Sequence, residues 1–261
     1  MKRHLPNALT CLNLLCGCLA LTLIFSAREV ADAPMYRLVS AAYLIGIAAV
    51  ADFFDGLVAR ALRVSSPIGK DLDSLADMVS FGVVPGAIMF QLLQQALPGS
   101  LAGYLHAPTT GSLLAPYLGF LITIFSALRL AKFNNDTRQT TSFIGLPTPA
   151  CTLVVASLPL ILAGDEWGLA GFILTPWVLL GLTVVLSGLL VAELPLFALK
   201  FKNLRWLGNR RRFLFVVLAL GLVGWLRAAG VPLAVLLYVL LSVPGRVRSR
   251  ELAEAGSAGP Q

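Results

Sequence analysis

Long apolar stretches, each about the length of a membrane-spanning helix, alternate along this chain with short polar segments. A helix needs about 20 apolar residues to cross a bilayer, and the pattern predicts eight spans. Their approximate ranges are 8–26, 36–60, 72–95, 113–131, 147–164, 170–198, 213–226 and 231–244. The last two are short for a full span, and we expect them to form a tight helical hairpin around residues 227–230. The pattern therefore predicts an all-α, polytopic membrane helix bundle.

The same pattern divides the chain into three parts. Residues 1–202 form a membrane domain of six helices, and residues 203–250 add two C-terminal helices to the same bundle. Residues 251–261 are small and polar, which is typical of a disordered tail. The first apolar run follows basic residues, as a signal peptide does, but similar runs come after it. We therefore expect it to be a retained helix.

Composition supports a membrane protein. Hydrophobic residues make up 57% of the 261 positions and charged residues only 13%, with a mean hydropathy of +0.83. Soluble domains carry roughly a quarter charged residues, so a water-soluble globule is excluded. The four cysteines, Cys11, Cys16, Cys18 and Cys151, all lie inside apolar runs. Their spacing does not indicate a disulfide or a zinc site, and we expect them to be small buried apolar residues.

The net charge of +7 raises the question of nucleic-acid binding, and the position of the charges answers it. If the N-terminus is cytoplasmic, most lysines and arginines fall on the cytoplasmic side, as the positive-inside rule requires. They are Lys2, Arg3, Arg60, Arg63, Lys70, Arg129, Lys132, Arg138, Lys200, Lys202, Arg205, Arg210, Arg211, Arg212, Arg246, Arg248 and Arg250. Only Arg28, Arg37 and Arg227 remain outside. We expect an integral protein of a bacterial-type inner membrane, with both termini cytoplasmic, and no nucleic-acid partner; the basic cluster 200–212 fits anionic lipid heads.

Acidic residues are concentrated where they are costly. Five of the 13 lie between positions 52 and 77, at the cytoplasmic ends of the second and third predicted spans: Asp52, Asp55, Asp71, Asp73 and Asp77. On a helix Asp52 and Asp55 share a face, as do Gly69, Asp73 and Asp77. Asp71 points elsewhere. The short linker 61–68 makes the two helices antiparallel neighbours, which brings four carboxylates together.

Four unpaired carboxylates at such a distance repel one another, and bound divalent cations remove the conflict. Oxygen ligands without His or Cys favour Mg²⁺ or Mn²⁺, and such ions bind phosphate oxygens, so a phosphate-bearing substrate is predicted. Gly56 and Ala59 leave room for it beside the helix backbone, and Arg60 supplies a charge suited to phosphate. Taken singly, one Asp can be a helix-end residue and Gly56 a packing residue. An intramembrane charge is nonetheless a functional-site hypothesis by default.

The stretch 52–77 reads D-x2-D-G-x2-A-R-x8-G-x3-D-x3-D. It resembles the motif of the CDP-alcohol phosphatidyltransferase family, and all eight fixed positions match. The stretches 6–13, 73–82, 127–134 and 143–149 are similar to the phosphatidylserine synthase branch of that family, so the likeness extends to about residue 202. The resemblance implies transfer of a phosphatidyl group from CDP-diacylglycerol to an alcohol, L-serine in that branch, with release of CMP. It also implies a homodimer in the membrane.

The resemblance further implies roles for individual residues. Asp52, Asp55 and Asp73 would hold two divalent ions, Mg²⁺ or Mn²⁺, and Asp77 would complete the metal site and act as the general base. The residues expected at the CDP part are Gly56, Ala59, Arg60, Ser66 and Gly69.

The acceptor pocket is less determined. Arg129, Lys132 and Asn134 can meet the carboxylate of serine, but Lys132 can equally be a lysine that only sets topology. Asn7, Thr10 and Asn13 either line the cytidine side or only hydrogen-bond within the first helix. The residues after Gly145, through Pro149, indicate a helix entry.

Two alternatives remain open at this stage. One is the same chemistry with another acceptor, namely glycerol 3-phosphate, inositol phosphate or choline. The other is a cation transporter whose pathway is lined by the aspartates. Transporters usually show repeated halves with broken helices near the membrane centre, whereas here the acidic cluster occurs once and at one membrane face.

Overall fold

The structure is a computed structural model that describes residues 4–26, 34–64, 66–100, 114–135, 142–197 and 210–242. For residues 34, 98–100, 142–144, 195, 197 and 211 only the backbone is described. Several predictions fall outside the described residues. They concern the basic residues Lys2, Arg3, Arg28, Arg138, Lys200, Lys202, Arg205, Arg246, Arg248 and Arg250, and the polar tail 251–261.

Three long helical rods make up the first half of the chain. The helices are α1 (Leu5–Ser26), α2 (Pro34–Leu62), α3 (Pro67–Asp77) and α4 (Val84–Ser100). Helices α3 and α4 belong to one continuous rod, joined by a π-helical stretch at Met78–Val83, which we call the π segment. Between α2 and α3 the chain turns at Arg63, which has a positive φ of 53°. The Val64 N–H donates to the Ala59 carbonyl there, which closes the end of α2.

The second half contains shorter elements. A 3₁₀ turn at Ala115–Phe120 leads into α5 (Leu121–Asn135), and the later helices are α6 (Thr148–Gly164), α7 (Ala170–Ile173), α8 (Pro176–Val191), α9 (Arg210–Leu226) and α10 (Gly230–Ser242). Two three-residue strands, β1 (Ser142–Ile144) and β2 (Pro195–Phe197), pair antiparallel with Phe143 opposite Leu196. This small ribbon is the one departure from the predicted all-α fold within the described residues.

Pro85 explains why the continuous helix formed by α3 and α4 contains a π-helical stretch. Proline has no N–H, so the carbonyl four residues earlier in an α-helix, here that of Phe81, loses its donor. Just before this proline the bonding changes to the wider i→i−5 pattern, with the Val84 N–H donating to the Val79 carbonyl. The buried Thr152 of α6 donates its hydroxyl to the Phe81 carbonyl at 2.9 Å. A side chain from a neighbouring helix thus replaces the missing backbone donor.

The apolar core lies between α1, α2, α4, α6 and α8. Ile24, Leu38, Ile88 and Leu92 are fully buried in it. Large apolar side chains also cover the outside of the bundle; Trp225 of α9, for example, is 80% exposed. Apolar side chains on both the inside and the outside are typical of helices packed in lipid.

Five described segments are at least 18 residues long and apolar enough to cross a membrane. They are Leu5–Ser26, Met35–Leu62, Pro67–Leu97, Ala115–Asn135 and Arg212–Ser242. Helices α6 and α8 are shorter apolar helices. The predicted helical membrane bundle is confirmed at this level, while the count of eight spans stays a prediction.

Two details of the sequence-based prediction are wrong. The predicted span 170–198 is not continuous, because α7 ends at Ile173, α8 begins at Pro176, and the chain is extended at β2. Proline cannot donate a backbone hydrogen bond to the preceding turn, which explains the break before Pro176. The cysteines are all free, but only Cys16 and Cys151 are buried; Cys11 and Cys18 are exposed on α1.

The predicted hairpin at the end of the described chain is present. Helices α9 and α10 are joined by a 3₁₀ turn at Arg227–Ala229, where Arg227 has a positive φ of 51°. The rings of Phe215 and Tyr238 face each other across the hairpin, with centroids 5.5 Å apart. Glu166 accepts a hydrogen bond from the Ala229 N–H at 3.2 Å, which ties the turn to the rest of the bundle.

Gly230 makes this tight turn possible, and its replacement tests the hairpin. A Cβ at position 230 would overlap the backbone of Leu222, whereas a Cβ at Gly224 would meet nothing within 4 Å. We expect Gly230→Ala to lower the free energy of unfolding by about 1–3 kcal/mol, the usual cost of overpacking. The matched control Gly224→Ala should be neutral or stabilising. Unfolding in detergent measures both, and equal stabilities would contradict the hairpin geometry.

Candidate functional site

Three aspartates from two helices converge at one point. Asp52 and Asp55 lie one turn apart on α2, and Asp73 lies on α3. Each offers a carboxylate oxygen, and these oxygens lie within 4.8 Å of one another. Phe53 and Phe54, which lie between the α2 aspartates in sequence, are exposed on the other side of the helix. The i, i+3 spacing therefore turns the carboxylates inward and the phenyl rings outward.

Asp77 lies one turn after Asp73 on the same face of α3. Its carboxyl group interacts electrostatically with those of Asp52, Asp55 and Asp73. The amide of Asn13 on α1 donates a hydrogen bond to Asp77 at 3.2 Å. The four carboxylates thus form one cluster, which we call the aspartate cluster: Asp52, Asp55, Asp73 and Asp77. By contrast, Asp71 is exposed on α3.

The hydrogen bonds to the aspartate cluster come from neutral groups. Thr10 donates its hydroxyl to Asp55 at 2.7 Å, and Asp55 is only 6% exposed. A buried oxygen of Asp73, Oδ1, has no hydrogen-bond partner. Among the described residues no lysine or arginine forms an ion pair with the cluster. Unpartnered carboxylate oxygens close together are the donors that a hard divalent cation prefers, so Asp52, Asp55 and Asp73 fit a metal ion.

A cavity of about 460 Å³ opens beside the cluster, between α1, α2 and α3. Most of the residues predicted to contact substrate line it. From the predicted set it is lined by Asn7, Thr10, Asp55, Gly56, Ala59, Ser66, Gly69 and Asp73. A Cβ at Gly56 would meet nothing within 4 Å, so the glycine leaves open space along α2. Arg60 is exposed and is not among the lining residues; its Nε donates to the Gly56 carbonyl at 2.8 Å.

The N-terminus of α3 also faces this cavity. Ser66 caps the helix by accepting a hydrogen bond from the Gly69 N–H at 3.0 Å, and Pro67 occupies the first turn. A Cβ at Gly69 would lie within about 3 Å of the side chains of Ser66 and Asn7, so the glycine allows these two side chains to approach the helix closely. A helix N-terminus carries partial positive charge and attracts phosphate groups.

Two residues of the cavity were not predicted from the sequence. His4 and Lys70 line the cavity, and both are basic residues. Lys70 follows Gly69 within the motif of residues 52–77, so its position offered a usable signal. His4 lies before α1, and no spacing rule connects it with residues 55–73.

The predicted acceptor residues on α5 are not gathered at one place. Asn134 donates to the Ser74 hydroxyl of α3 at 3.0 Å. Arg129 is only 5% exposed, and its Nε donates to the Leu146 carbonyl. Lys132 is exposed and comes nine residues after Thr123, which bonds to the π segment. Nine residues correspond to about 180° around a helix, so Lys132 faces away from that contact.

Comparison with known proteins identifies relatives over most of the chain. A model of the CDP-alcohol phosphatidyltransferase family matches residues 3–191. The chain is 32% identical to CDP-diacylglycerol–serine O-phosphatidyltransferase of Helicobacter pylori strain J99 over 222 residues, covering 84% of this chain and 80% of that protein. It is 33% identical to the Bacillus subtilis protein of the same name over 173 residues, 64% of this chain and 84% of that protein.

A relative of the same name from Saccharomyces cerevisiae is 32% identical over 170 residues, 59% of this chain and 53% of that protein. The matched family region includes every member of the aspartate cluster and ends before α9. This chain belongs to the CDP-alcohol phosphatidyltransferase family.

Proposed function

We propose that this protein transfers the phosphatidyl group of CDP-diacylglycerol to the hydroxyl of L-serine, forming phosphatidylserine and releasing CMP. The observation that carries the proposal is the convergence of Asp52, Asp55 and Asp73 beside an open cavity, within the family motif. Serine as the acceptor is supported by the names of the relatives, which are CDP-diacylglycerol–serine O-phosphatidyltransferases. The protein would therefore act in phospholipid biosynthesis.

The cavity and its surroundings suit a lipid with a nucleotide head. Its volume of about 460 Å³ is in the range of small-molecule sites. The CDP group would lie against Gly56, Ala59 and Gly69, with its diphosphate near Ser66 at the N-terminus of α3. Arg60, Asn7 and Thr10 are further proposed contacts. The acyl chains would remain in the lipid, next to the exposed rings of Phe53 and Phe54.

Asp52, Asp55, Asp73 and Asp77 would hold two divalent ions, Mg²⁺ or Mn²⁺. The ions would neutralise the diphosphate and the charge that develops on departing CMP. Thr10 keeps Asp55 in place by its hydrogen bond of 2.7 Å. The unpartnered Oδ1 of Asp73 supports the assignment, because a buried polar atom without a partner is otherwise costly.

Asp77 would act as the general base. Its carboxylate accepts the proton from the serine hydroxyl while the serine oxygen bonds to the phosphorus that carries diacylglycerol. The bond from that phosphorus to the CMP oxygen breaks, so one P–O bond forms and one breaks. Asn13 orients Asp77 through its amide hydrogen bond. Since phosphoryl transfer relies mainly on positioning and electrostatics, the role of the helices is to hold these groups still.

Serine would approach from the side of α5. Of the three residues proposed there, Asn134 contacts α3 directly through Ser74, the neighbour of Asp73. Arg129 can offer its remaining N–H groups to a carboxylate while its Nε holds Leu146. Lys132 is the weakest member of the set, because it points away from the π segment.

The surroundings of the site complete the proposal. The bundle would have eight spans, with both termini and the aspartate cluster on the cytoplasmic side of a bacterial-type inner membrane. Residues 1–202 would form the catalytic membrane domain, to which α9 and α10 add a hairpin. A homodimer is proposed from the family resemblance.

A panel of acceptors tests the reaction. Purified protein in lipid is given CDP-diacylglycerol and Mn²⁺ with serine, glycerol 3-phosphate, inositol phosphate or choline. We expect phosphatidylserine and CMP in equal amounts with serine, and at least about tenfold slower CMP release with the other alcohols. Faster reaction with another alcohol would contradict serine as the acceptor. Absence of CMP release with every alcohol would contradict the proposed transferase activity.

Asp77→Asn tests the proposed base. The amide keeps the shape of the side chain but cannot accept the proton, so we expect kcat to fall about 10²–10⁴-fold. Binding of CDP-diacylglycerol, measured with a radiolabelled lipid, should be retained. The control is Asp71→Asn, which changes an exposed carboxylate on the same helix and should leave kcat unchanged. A wild-type kcat in Asp77→Asn would contradict the assignment.

A substitution of Asp73 on α3 tests metal binding. We expect Asp73→Asn to weaken Mn²⁺ binding at least about tenfold, or about 1.4 kcal/mol, because it removes one charged ligand. Electron paramagnetic resonance of Mn²⁺ measures binding without turnover. Asp71→Asn should bind Mn²⁺ like the wild type. Removal of divalent cations with EDTA should stop CMP release, and added Mg²⁺ or Mn²⁺ should restore it. Equal Mn²⁺ affinities in the two variants would remove Asp73 from the metal site.

A further inference from the structure

The long helical rod changes its width immediately after Asp77. The Met78 N–H still donates to the carbonyls of Ser74 and Leu75, whereas the Val84 N–H donates to Val79, five residues earlier. A π segment contains one more residue than the α-helical turn that it replaces, and such segments frequently occur at functional sites. Asp77 is thus the last residue of regular α-helix before the wider turn.

Groups from three other helices hold the π segment. Thr152 of α6 donates to the Phe81 carbonyl at 2.9 Å, and Thr123 of α5 donates to the Gly82 carbonyl at 2.9 Å. On the α1 side, the Ser80 hydroxyl donates to the Asn13 carbonyl at 3.0 Å. The Thr152 hydroxyl is equally 2.9 Å from the Thr148 carbonyl of its own helix, so its single proton is shared between a carbonyl of α6 and the Phe81 carbonyl.

The contacts on α1 connect the π segment with Asp77. Asn13 is fully buried; its backbone carbonyl accepts from Ser80 while its side chain donates to Asp77. One turn further along α1, a Cβ at Gly17 would overlap Ser80, so the two helices are in close contact there. Asn13 therefore ties Asp77 and the π segment to the same point on α1.

The two ends of the rod are held very differently. Helix α4 is anchored in the core, where Ile88, Met89 and Leu92 are fully buried. Helix α3 borders the open cavity and is mostly accessible. If the π segment became an ordinary α-helix, its wide turn would contain one residue fewer. The resulting displacement would fall on α3 rather than on α4. Asp77, which is nearest to the change, would turn away from Asn13.

We propose that the π segment is a positioning device for Asp77, with Pro85 and Thr152 as its positioning residues. Pro85 removes the donor that would close a regular turn, and Thr152 satisfies the carbonyl that this leaves free. Together they keep the carboxylate of Asp77 turned toward the aspartate cluster. This inference rests on the proposed function only in taking Asp77 as the reacting carboxylate.

Pro85→Ala separates positioning from folding. Alanine returns an N–H that can bond to the Phe81 carbonyl, so the variant should be as stable as the wild type or more stable. Because α3 would shift, we expect kcat to fall about 10–100-fold, the scale of a displacement of about 1 Å at a catalytic group. Loss of rate without loss of thermal stability is an outcome that a merely structural role does not produce.

Thr152 supplies the second test, with matched variants. Thr152→Val should lower kcat at least about tenfold with little change in the KM for CDP-diacylglycerol, and Thr152→Ser, which keeps the hydroxyl, should restore kcat. The control is Thr183→Val: among the residues that the structure describes, this buried threonine bonds only to the Leu179 carbonyl of its own helix, so kcat should be unchanged. Thr152→Val leaves the Phe81 carbonyl without a donor and should therefore lower stability. In the double variant Pro85→Ala/Thr152→Val, the N–H that alanine returns can bond to this carbonyl, so stability should recover while kcat stays low.

The rate is measured as CMP release with whichever alcohol supports it best. A failure of serine as the acceptor would therefore count against the proposed function without affecting this test. Wild-type kcat in Pro85→Ala would overturn the inference. So would a Thr152→Val variant whose kcat falls only in proportion to its folded fraction, or a double variant that regains both stability and kcat.

Discussion

Repulsion among carboxylates held close together is the constraint on which this structure depends. Asp52, Asp55 and Asp73 present oxygens within 4.8 Å of one another, in a bundle whose other surfaces are largely apolar. Charges in such surroundings are weakly screened, and the neutral donors Thr10 and Asn13 do not cancel them. A cationic ligand would relieve this repulsion, and its binding would stabilise the folded state by mass action.

Three helices, α1, α2 and α3, together hold the aspartate cluster in place. Helices α2 and α3 carry the carboxylates, while α1 contacts both through short polar side chains. Thr10 bonds to Asp55, Asn13 bonds to Asp77, and Asn7 packs against Gly69. Because α1 is one rigid element, these contacts keep the spacing between α2 and α3 constant. The polar residues of α1 are thus part of the site although they belong to an otherwise apolar helix.

Much of the aspartate cluster and several helix boundaries could be predicted from the sequence, because the residue patterns that indicate them are local. The i, i+3 and i, i+4 spacings placed the aspartates on inward faces, and Pro147 and Pro149 marked the start of α6 within one residue. The cavity residue His4 could not be predicted, since a cavity between three helices depends on their packing. The break at Pro176 was missed because the hydropathy there is uninterrupted. The π segment was missed because Pro85 alone does not reveal whether a helix kinks, ends or widens.

The bond between Thr152 and the Phe81 carbonyl joins residues 71 positions apart in the chain. The complete family motif, residues 52–77, leaves the ribosome well before α6 does. Before α6 is in place, the Phe81 carbonyl lacks the Thr152 hydroxyl as its donor. The residues around Asp77 are thus held in part by a helix that is synthesised after them, so a chain that ends before α6 would lack this contact.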